Sequence, residues 1–209
     1  MVQSKTIFSP TGLLSKHLGN FRYRPQQQRM SEVIELSLKN NSQLIVEAGA
    51  GVGKTFAYLI PALLSGQKVV ISTGTKHLQD QLYSKDLPTI LNILKLSVST
   101  SLLKGRANYL CLHRLEQHAL TKSHSNRFAE KIQVIKDWSL LTKSGEIAEV
   151  TNINEDDAIW PSVTSTIENC LGAECPSYQM CHVVKARQNA QKADIVIINH
   201  HLFFADLAL

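Results

Sequence analysis

The chain has 209 residues, enough for one ordinary α/β domain with a sizeable core. Its 44% hydrophobic and 19% charged residues are typical of a soluble globular protein. No apolar run approaches the roughly 18 residues that cross a bilayer. The start "MVQSKTIFSP" shows no secretory signal, so we expect a cytoplasmic protein. The net charge of +5 and the pI near 9.0 are compatible with a polyanionic partner, and equally with a soluble protein that is merely basic.

The first ninety residues alternate between helix and strand patterns after an irregular lead-in over 1–22. Apolar spacing predicts a helix over 26–40, and the β-branched run "QLIVEA" predicts a buried strand before a glycine-rich turn. The next predicted elements are a helix over "KTFAYLIPALLSG", a strand at "KVVIST" and a helix over "TKHLQDQLYSKDL". Pro61 predicts a kink or break inside the first of these helices, and Pro88 predicts the end of the second.

The second half continues with "SVSTSLL" as a possible third strand and "NYLCLHRLEQHAL" as a helix. An amphipathic helix over 129–141 and an acidic patch at 155–157 come next. A helix over "VVKARQNAQKA" and an apolar strand, "DIVIINH", close the pattern. Alternation of this kind predicts an α/β fold with a parallel sheet covered by helices.

The stretch "VEAGAGVGKT" carries the clearest chemical signal. Residues 48–55 fit the phosphate-loop template, with alanine in place of its first glycine. Inward-turned amides and the N-terminus of the following helix would bind a phosphate chain. Lys54 would neutralise the β- and γ-phosphates and Thr55 would hold Mg²⁺, so we expect these two to be catalytic. The predicted ATP-binding residues of the loop are Ala48, Gly49, Ala50, Gly51, Val52, Gly53, Lys54 and Thr55. The alternative is a glycine-rich turn without function.

Two flanking segments resemble motifs of superfamily 2 helicases. "YRPQQQRM" resembles the motif that recognises adenine, with Gln27 on the base edge and Tyr23 and Arg24 close by. By itself, the segment is read better as solvated residues at a helix start. "ISTGTKHLQDQL" resembles the motif that contacts the nucleic-acid backbone, here through the residues Ser72, Thr73, Gly74 and Thr75. Thr75 also fits a helix N-cap, and the two roles are compatible.

The chain has four cysteines, Cys111, Cys170, Cys175 and Cys181. In a reducing cytosol, clustered cysteines indicate metal or redox chemistry rather than disulfides. Structural zinc sites use shorter spacings between paired cysteines than the four and five intervening residues found here. Spacing alone leaves zinc and an iron-sulfur cluster equally open.

The order of these motifs resembles the XPD/DinG family of iron-sulfur helicases, and within it the bacterial DinG/YoaA-like proteins. The segments "LLKGRANYLC" and "NCLGAECPSYQMCHVVKARQNAQKADIVIINHHLF" carry the resemblance, which extends from about residue 10 to 209. It implies a RecA-like phosphate-loop sheet with an inserted, mostly helical iron-sulfur domain, whose [4Fe–4S] cluster the four cysteines hold. The implied domains are the first part of a motor domain at 1–103, the cluster domain at 104–188 and a return strand at 189–209.

The family implies an ATP- and Mg²⁺-dependent helicase that moves 5′ to 3′ on single-stranded or forked DNA in replication or repair. Cations beside the cysteines, which could bind phosphate, are Lys104, Arg106, Lys185 and Arg187. We expect His113 and His182 to be polar residues on partly exposed helices. For His200 and His201 we expect a position-holding hydrogen bond rather than catalysis.

The family's acidic Asp-Glu-Ala-His motif does not occur in the chain, and Glu116-Gln117-His118 does not substitute for it. We therefore expect an N-terminal fragment, truncated before that motif, with weak nucleotide binding and negligible unwinding. Two rival interpretations stay open. One is a small loop enzyme such as a nucleotide kinase, although no arginine-bearing lid is found. The other is a non-catalytic zinc or iron-sulfur module that binds nucleic acid and keeps a vestigial loop.

Overall fold

The computed structural model describes residues 3–120 and 126–207. The helices of the first half are α1 (Ser4–Phe8), α2 (Leu13–His17), α3 (Pro25–Lys39), α4 (Lys54–Leu64), α5 (Lys76–Gln81) and α6 (Leu87–Leu94). Those of the second half are α7 (Leu112–Leu120), α8 (Asn126–Ser139), α9 (Trp160–Val163), α10 (His182–Lys192) and α11 (His200–Leu207). None of these described helices has both the length and the apolar character that crossing a membrane requires.

The strands are β1 (Val69–Thr73), β2 (Thr100–Leu103) and β3 (Ile195–Asn199), and they form one sheet in the order β1-β3-β2. β1 and β3 run parallel, with Val69 opposite Ile195 and Thr73 opposite Asn199. Four of the five residues of β3 are buried, as expected for a central strand of a parallel sheet. The three strands predicted at "KVVIST", "SVSTSLL" and "DIVIINH" are therefore confirmed, and so is the α/β class.

The described residues divide into two compact units. The first comprises the chain up to Leu102 together with Lys192–Phe204. The second comprises Leu103–Gln191 together with the residues from Ala205 onward. These divisions lie within a few residues of the boundaries expected at 103 and 188, while the roles assigned to the domains stay predictions.

Each unit has its own apolar core. In the first, α4 buries Leu59 and Ile60 completely against side chains of α1, α6 and β3. In the second, Leu110, Ile135 and Trp160 belong to a core to which α7, α8 and α9 contribute. The amphipathic helix predicted at 129–141 is α8, and its apolar stripe supplies part of this core.

The predicted strand at "QLIVEA" is wrong for this structure. Residues 42–49 have no regular secondary structure, and Ile45 is 98% exposed. A strand is stable only when a neighbour pairs with its N–H and C=O groups. Among the described residues, β3 and β2 each pair elsewhere and no strand lies along this segment. The apolar pattern is typical of a strand, but a local pattern does not show whether a neighbouring strand is present to pair with it.

Neither proline ends its helix. The break predicted as one of two outcomes at Pro61 does not occur, because α4 is buried over most of its length and packing outweighs one missing hydrogen bond. Pro88 does not end the helical run that starts at Lys76. A π-helical turn over Leu82–Asp86 follows α5, and Pro88 lies in the first turn of α6.

Asp194 ties the start of β3 to the segment before β2. Its carboxylate accepts hydrogen bonds from the Ser99 hydroxyl at 2.6 Å and the Ser99 amide at 2.9 Å. These two bonds hold the pKa of the Asp194 carboxyl below its usual value of 3.8. The ionised side chain therefore stabilises the first unit.

We predict that Asp194→Asn lowers the melting temperature at pH 7, and that the loss shrinks as the solution becomes acidic. A carboxyl whose pKa is lowered by folding stabilises the fold above its unfolded-state pKa, and this contribution disappears as pH falls through the folded-state value. The melting temperatures of the variant and the wild type, measured by circular dichroism, should converge below about pH 4. Asp156→Asn, at an exposed position, is the control. A difference that is constant with pH would contradict the prediction.

Candidate functional site

The phosphate loop has the backbone geometry that its glycines permit. Gly51 and Gly53 have φ angles of +78° and +87°, in the left-handed region that favours glycine. Gly53 is the N-cap of α4, so the loop leads directly into the N-terminus of an 11-residue helix. The Lys54 ammonium folds back and donates to the carbonyl oxygens of Ala48 at 2.8 Å and Gly49 at 3.0 Å. The loop is thus closed by its own lysine, and its helix end favours anions.

Gln27 lies against the last glycine of this loop. Its side chain is 4% exposed, and its Nε2 donates to the Gly53 carbonyl oxygen at 2.9 Å. Its Oε1 has no hydrogen-bond partner among the described residues, although it is buried. A carbonyl oxygen in this position lacks the solvation it has in water, so a ligand N–H would be favoured there.

A cavity of about 410 Å³ opens beside Gln27. Phe21 and Phe56 give it apolar walls, while Arg24 and Gly53 complete the side towards the loop. Tyr23, expected close by, is exposed and does not line it. A flat aromatic ligand with a polar edge suits such a cavity. Phe21 and Phe56 were not predicted from the sequence. The one indication there is their position beside the segments "YRPQQQRM" and "VEAGAGVGKT".

Thr55 is the first hydroxyl of α4, and Tyr58 lies one turn further along the same helix. Burial raises the pKa of Tyr58 to about 12, and the nearby Asp86 charge adds to the rise, whereas the Thr55 hydroxyl opposes it. The phenol is therefore neutral at every physiological pH. Tyr58 was not among the predicted residues, because a tyrosine one turn into an apolar helix is normally read as core.

The four residues predicted to contact DNA lie where β1 ends, and their hydroxyls already have partners. Thr73 is 8% exposed and donates to the Thr75 carbonyl oxygen at 3.2 Å. Thr75 caps α5 by accepting from the Leu78 amide at 3.2 Å, as its N-cap interpretation predicted. The Ser72 hydroxyl lies 2.7 Å from His200 Nδ1, which confirms the position-holding bond expected of His200.

All four cysteines line one cavity of about 400 Å³ in the second unit. They are free thiols. Arg106 Nη1 donates to Cys170 Sγ at 3.2 Å, and the Gly172 amide approaches the same sulfur at 3.5 Å. Burial raises the pKa of the Cys111 thiol, and the charges that Cys175 and Cys181 carry when ionised raise it further. Cys111 and Cys170, 59 positions apart in sequence, thus face one cavity.

The cysteines do not form a compact single-ion site. No three His, Cys, Asp or Glu side chains within the described ranges form a group that could hold a metal ion. Tetrahedral zinc needs its sulfurs only about 3.8 Å apart, from Zn–S bonds of about 2.3 Å. A four-iron cluster has one thiolate on each iron and so spreads its ligands over a larger body. Four thiols around a shared cavity are chemically suited to such a body, with Arg106 to balance charge.

Two of the cations expected near the cysteines have other partners. Lys104 is 8% exposed, and its ammonium lies 2.9 Å from a carboxylate oxygen of Glu146. Because Lys104 is buried and paired with the half-buried Glu146, it is not placed to bind phosphate, which corrects that expectation. Arg106 contacts Cys170, while Lys185 and Arg187 are exposed on α10.

His182 lies on a partly exposed helix, as expected, since α10 exposes Lys185 and Arg187, but the residue itself is buried. His182 is 5% exposed, because its ring packs onto Gly145 so closely that any side chain there would overlap it. Gly145 has a φ of +70°. Burial lowers the pKa of His182, and the Lys185 charge lowers it further. His113 is half-buried, nearer to what was expected.

The turn over 142–149 owes its shape to one carboxylate. Glu149 accepts hydrogen bonds from Thr142 at 2.6 Å, from Trp138 at 3.1 Å and from Ser144. This turn carries Gly145 beneath His182, and His182 follows the ligand candidate Cys181. The sequence offered no signal for the arrangement, since its members are scattered polar residues.

The fold and the loop define the class of protein. It is an α/β protein in which a glycine-rich loop of the phosphate-loop pattern leads into a helix, and the strands of a parallel sheet follow in sequence. Residues 24–141 match the model of the DEAD/DEAH box helicase family. The chain therefore belongs to the DEAD/DEAH box helicases.

Curated relatives agree with this assignment. The chain is 48% identical to "ATP-dependent DNA helicase YoaA" of Escherichia coli (strain K12), over 97% of the chain and 32% of that protein. It is 46% identical to the protein of the same name from Haemophilus influenzae, over 99% of the chain and 32% of that protein. It is 32% identical to "ATP-dependent helicase DinG" of Mycobacterium tuberculosis, over 90% of the chain and 32% of that protein. The chain thus spans about a third of the length of the curated relatives it matches.

We predict that Gly53→Ala weakens nucleotide binding and that Gly66→Ala, outside the loop, does not. A Cβ at Gly53 would overlap the Gln27 amide, and its left-handed backbone costs a non-glycine residue about 1–2 kcal/mol. Gly66 also has a positive φ, of +65°, but a Cβ there meets open space. Gly53→Ala should weaken the binding of a fluorescent ATP analogue about tenfold or more. Equal losses in the two variants would show that the Gln27 contact does not matter.

Proposed function

We propose that this chain supplies the ATP-binding part of a DNA helicase motor domain, together with a metal-binding insert. The observation that carries the proposal is the bond from the buried Gln27 amide to the Gly53 carbonyl oxygen. This hydrogen bond links Gln27, whose amide can recognise a base, to the loop whose backbone amides can bind phosphates. A glycine-rich turn without function would have no reason to keep a buried, half-satisfied amide beside it.

The adenine base of ATP is proposed to occupy the cavity beside Gln27. There Gln27 Oε1 would accept from the exocyclic amino group, since adenine presents a donor and an acceptor side by side. Phe21 and Phe56 would exclude water from the faces of the base, and Arg24 is close enough in the lining to add a polar contact. This arrangement favours adenine over guanine, which offers an oxygen where adenine has its amino group.

The phosphates are proposed to bind the amides of residues 48–55, with Lys54 facing the β- and γ-phosphates. For that, Lys54 must exchange the carbonyl oxygens of Ala48 and Gly49 for phosphate oxygens. The Thr55 hydroxyl would be a ligand of Mg²⁺, which supplies charge neutralisation when bound.

The four cysteines are proposed to hold one [4Fe–4S] cluster, which supplies a redox-active, structurally bracing group when bound. The chemistry of the donor set supports it, because all four thiols line one cavity and Arg106 contacts one sulfur. Arg106 would stabilise the thiolate form of Cys170. Zinc held by the same cysteines is the alternative outcome, and it would require the sulfurs to draw closer together.

The substrate is proposed to be single-stranded or forked DNA, along which the whole protein moves 5′ to 3′, with a role in replication or repair. The backbone would contact the end of β1 at Ser72–Thr75. These 209 residues contain no Asp-Glu-Ala-His sequence. We therefore infer that this stretch alone binds nucleotide but neither hydrolyses it efficiently nor unwinds DNA. A non-catalytic metal module with a vestigial loop remains the rival outcome of the tests.

The base site is tested by Gln27→Ala, compared with Gln26→Ala at the exposed neighbouring position. Loss of one hydrogen bond to the base should weaken ATP binding about tenfold and reduce the preference for ATP over GTP. Gln26→Ala should bind like the wild type. The measurement is competition of each nucleotide against a fluorescent ATP analogue. If Lys54→Ala and Gln27→Ala both leave binding unchanged, the loop is vestigial.

The cluster is tested by anaerobic purification and measurement of iron, zinc and the visible spectrum. We expect about four irons per chain and broad absorption near 400 nm. Serine at any one of the four cysteine positions should reduce both, and Ser177→Ala in the same loop should reduce neither. A colourless protein that contains one zinc ion would overturn the iron-sulfur proposal while leaving the ATP site untouched.

A further inference from the structure

We propose that His200 is a positioning residue that sets the direction in which the Ser72 hydroxyl donates its proton. The inference rests on the proposed contact between the end of β1 and a nucleic-acid backbone, and it names the residue that makes this end competent to bind phosphate. His200 belongs to neither of the motifs that point to ATP or DNA.

Parallel pairing brings the two residues together although 128 positions separate them. Ser72 lies opposite Ile198 in the register of β1 and β3, and His200 follows β3 directly. The two side chains therefore meet at the same edge of the sheet, with Ser72 Oγ 2.7 Å from His200 Nδ1. This edge is where ligands bind in open α/β sheets.

The exposed His200 ring has two further neighbours. It lies near Gly74, where an added Cβ would come within 3.7 Å of His200 Cδ2 without overlapping it. The Phe204 ring lies one turn along α11, at a centroid distance of 6.2 Å. Asn199 Oδ1 accepts from the Leu202 amide at 2.8 Å and caps the helix that presents the imidazole. The bond to Ser72 and the capped helix together position the imidazole at this edge of the sheet.

The hydroxyls at this edge differ in what they can offer a ligand. Thr73 donates its proton to the Thr75 carbonyl oxygen, so it has none for a phosphate. The Thr75 oxygen accepts from Leu78 and keeps its proton. Ser72 alone faces a partner that can either donate or accept, because a neutral imidazole has one nitrogen of each kind.

A phosphate oxygen carries no proton and can only accept hydrogen bonds. If His200 Nδ1 is unprotonated, the Ser72 proton is used to bond the imidazole, and Ser72 presents only lone pairs to a phosphate. If Nδ1 carries the proton, the imidazole donates to Ser72 Oγ and the Ser72 proton is free to bond the phosphate. Our proposal assigns the second arrangement to the DNA-bound protein, in which imidazole, hydroxyl and phosphate form a chain of aligned donors.

The test compares His200→Asn with His200→Gln and His200→Ala in the purified protein. The asparagine amide nitrogen occupies the place of Nδ1 and can donate to Ser72, whereas the longer glutamine carries its amide beyond it. We expect the affinity for a fluorescent single-stranded oligothymidine to fall about tenfold in His200→Ala and His200→Gln, and less than about twofold in His200→Asn. His201→Ala, at the exposed neighbour, is the matched control and should bind normally.

Two further measurements separate positioning from general damage. Ser72→Ala should weaken binding as much as His200→Ala does, and the double variant should be no weaker than either one, because both remove the same bond. Imidazole ¹⁵N spectra of the DNA complex should show a protonated Nδ1 at His200. Multiplicative losses, an unprotonated Nδ1, or His200→Asn as weak as His200→Ala would overturn the inference alone. A wild-type protein that binds no DNA would overturn the proposed DNA contact as well.

Discussion

The candidate ATP site depends on one close approach, that of the buried Gln27 amide to the backbone of Gly53. The approach is possible only because Gly53 has no side chain and adopts a left-handed conformation that glycine alone tolerates without strain. α3 carries Gln27, and α4 starts directly after Gly53. The contact therefore fixes the side chain proposed to read the base relative to the loop proposed to bind phosphates before any ligand arrives, and preorganisation of this kind reduces the entropy cost of binding.

The parallel pairing of β1 with β3 has a comparable role for Ser72 and His200. β3 follows Leu103–Gln191 of the second unit in sequence, yet it lies between β1 and β2 in the sheet. It is the register of this pair that delivers His200 to Ser72. His200 follows an apolar strand in the sequence, yet it lies beside the polar residues at the end of β1. The reason is that parallel strands have their carboxyl ends at the same edge of the sheet.

Sequence patterns succeeded wherever the local signal and its structural partner lie in the same stretch. α3, α4, α8 and α10 follow from helical periodicity, and the loop geometry follows from its glycines. They failed where the outcome depended on a distant partner. "QLIVEA" has a strand pattern but no neighbour among the described strands. Lys104 was predicted to bind phosphate, but in the structure it is buried and paired with Glu146. The shared cavity of the cysteines could be expected from a family resemblance but not from their spacing. The helices α7, α8 and α9 lie between Cys111 and Cys170 in the sequence, and no local pattern shows that the two residues meet.

The lysine proposed to meet the phosphates already has acceptors within the protein. Lys54 donates to two loop carbonyl oxygens, whereas Arg106 and Ser72 would keep their bonds to the Cys170 sulfur and to His200 in the proposed complexes. The phosphate contact of Lys54 is therefore an exchange of hydrogen bonds, and its net free energy is much smaller than the strength of the new bonds alone. Such an exchange favours a ligand whose charge exceeds that of the internal acceptor. A phosphate satisfies this condition and a neutral ligand does not, so the position of Lys54 selects for charge even though its ammonium is satisfied beforehand.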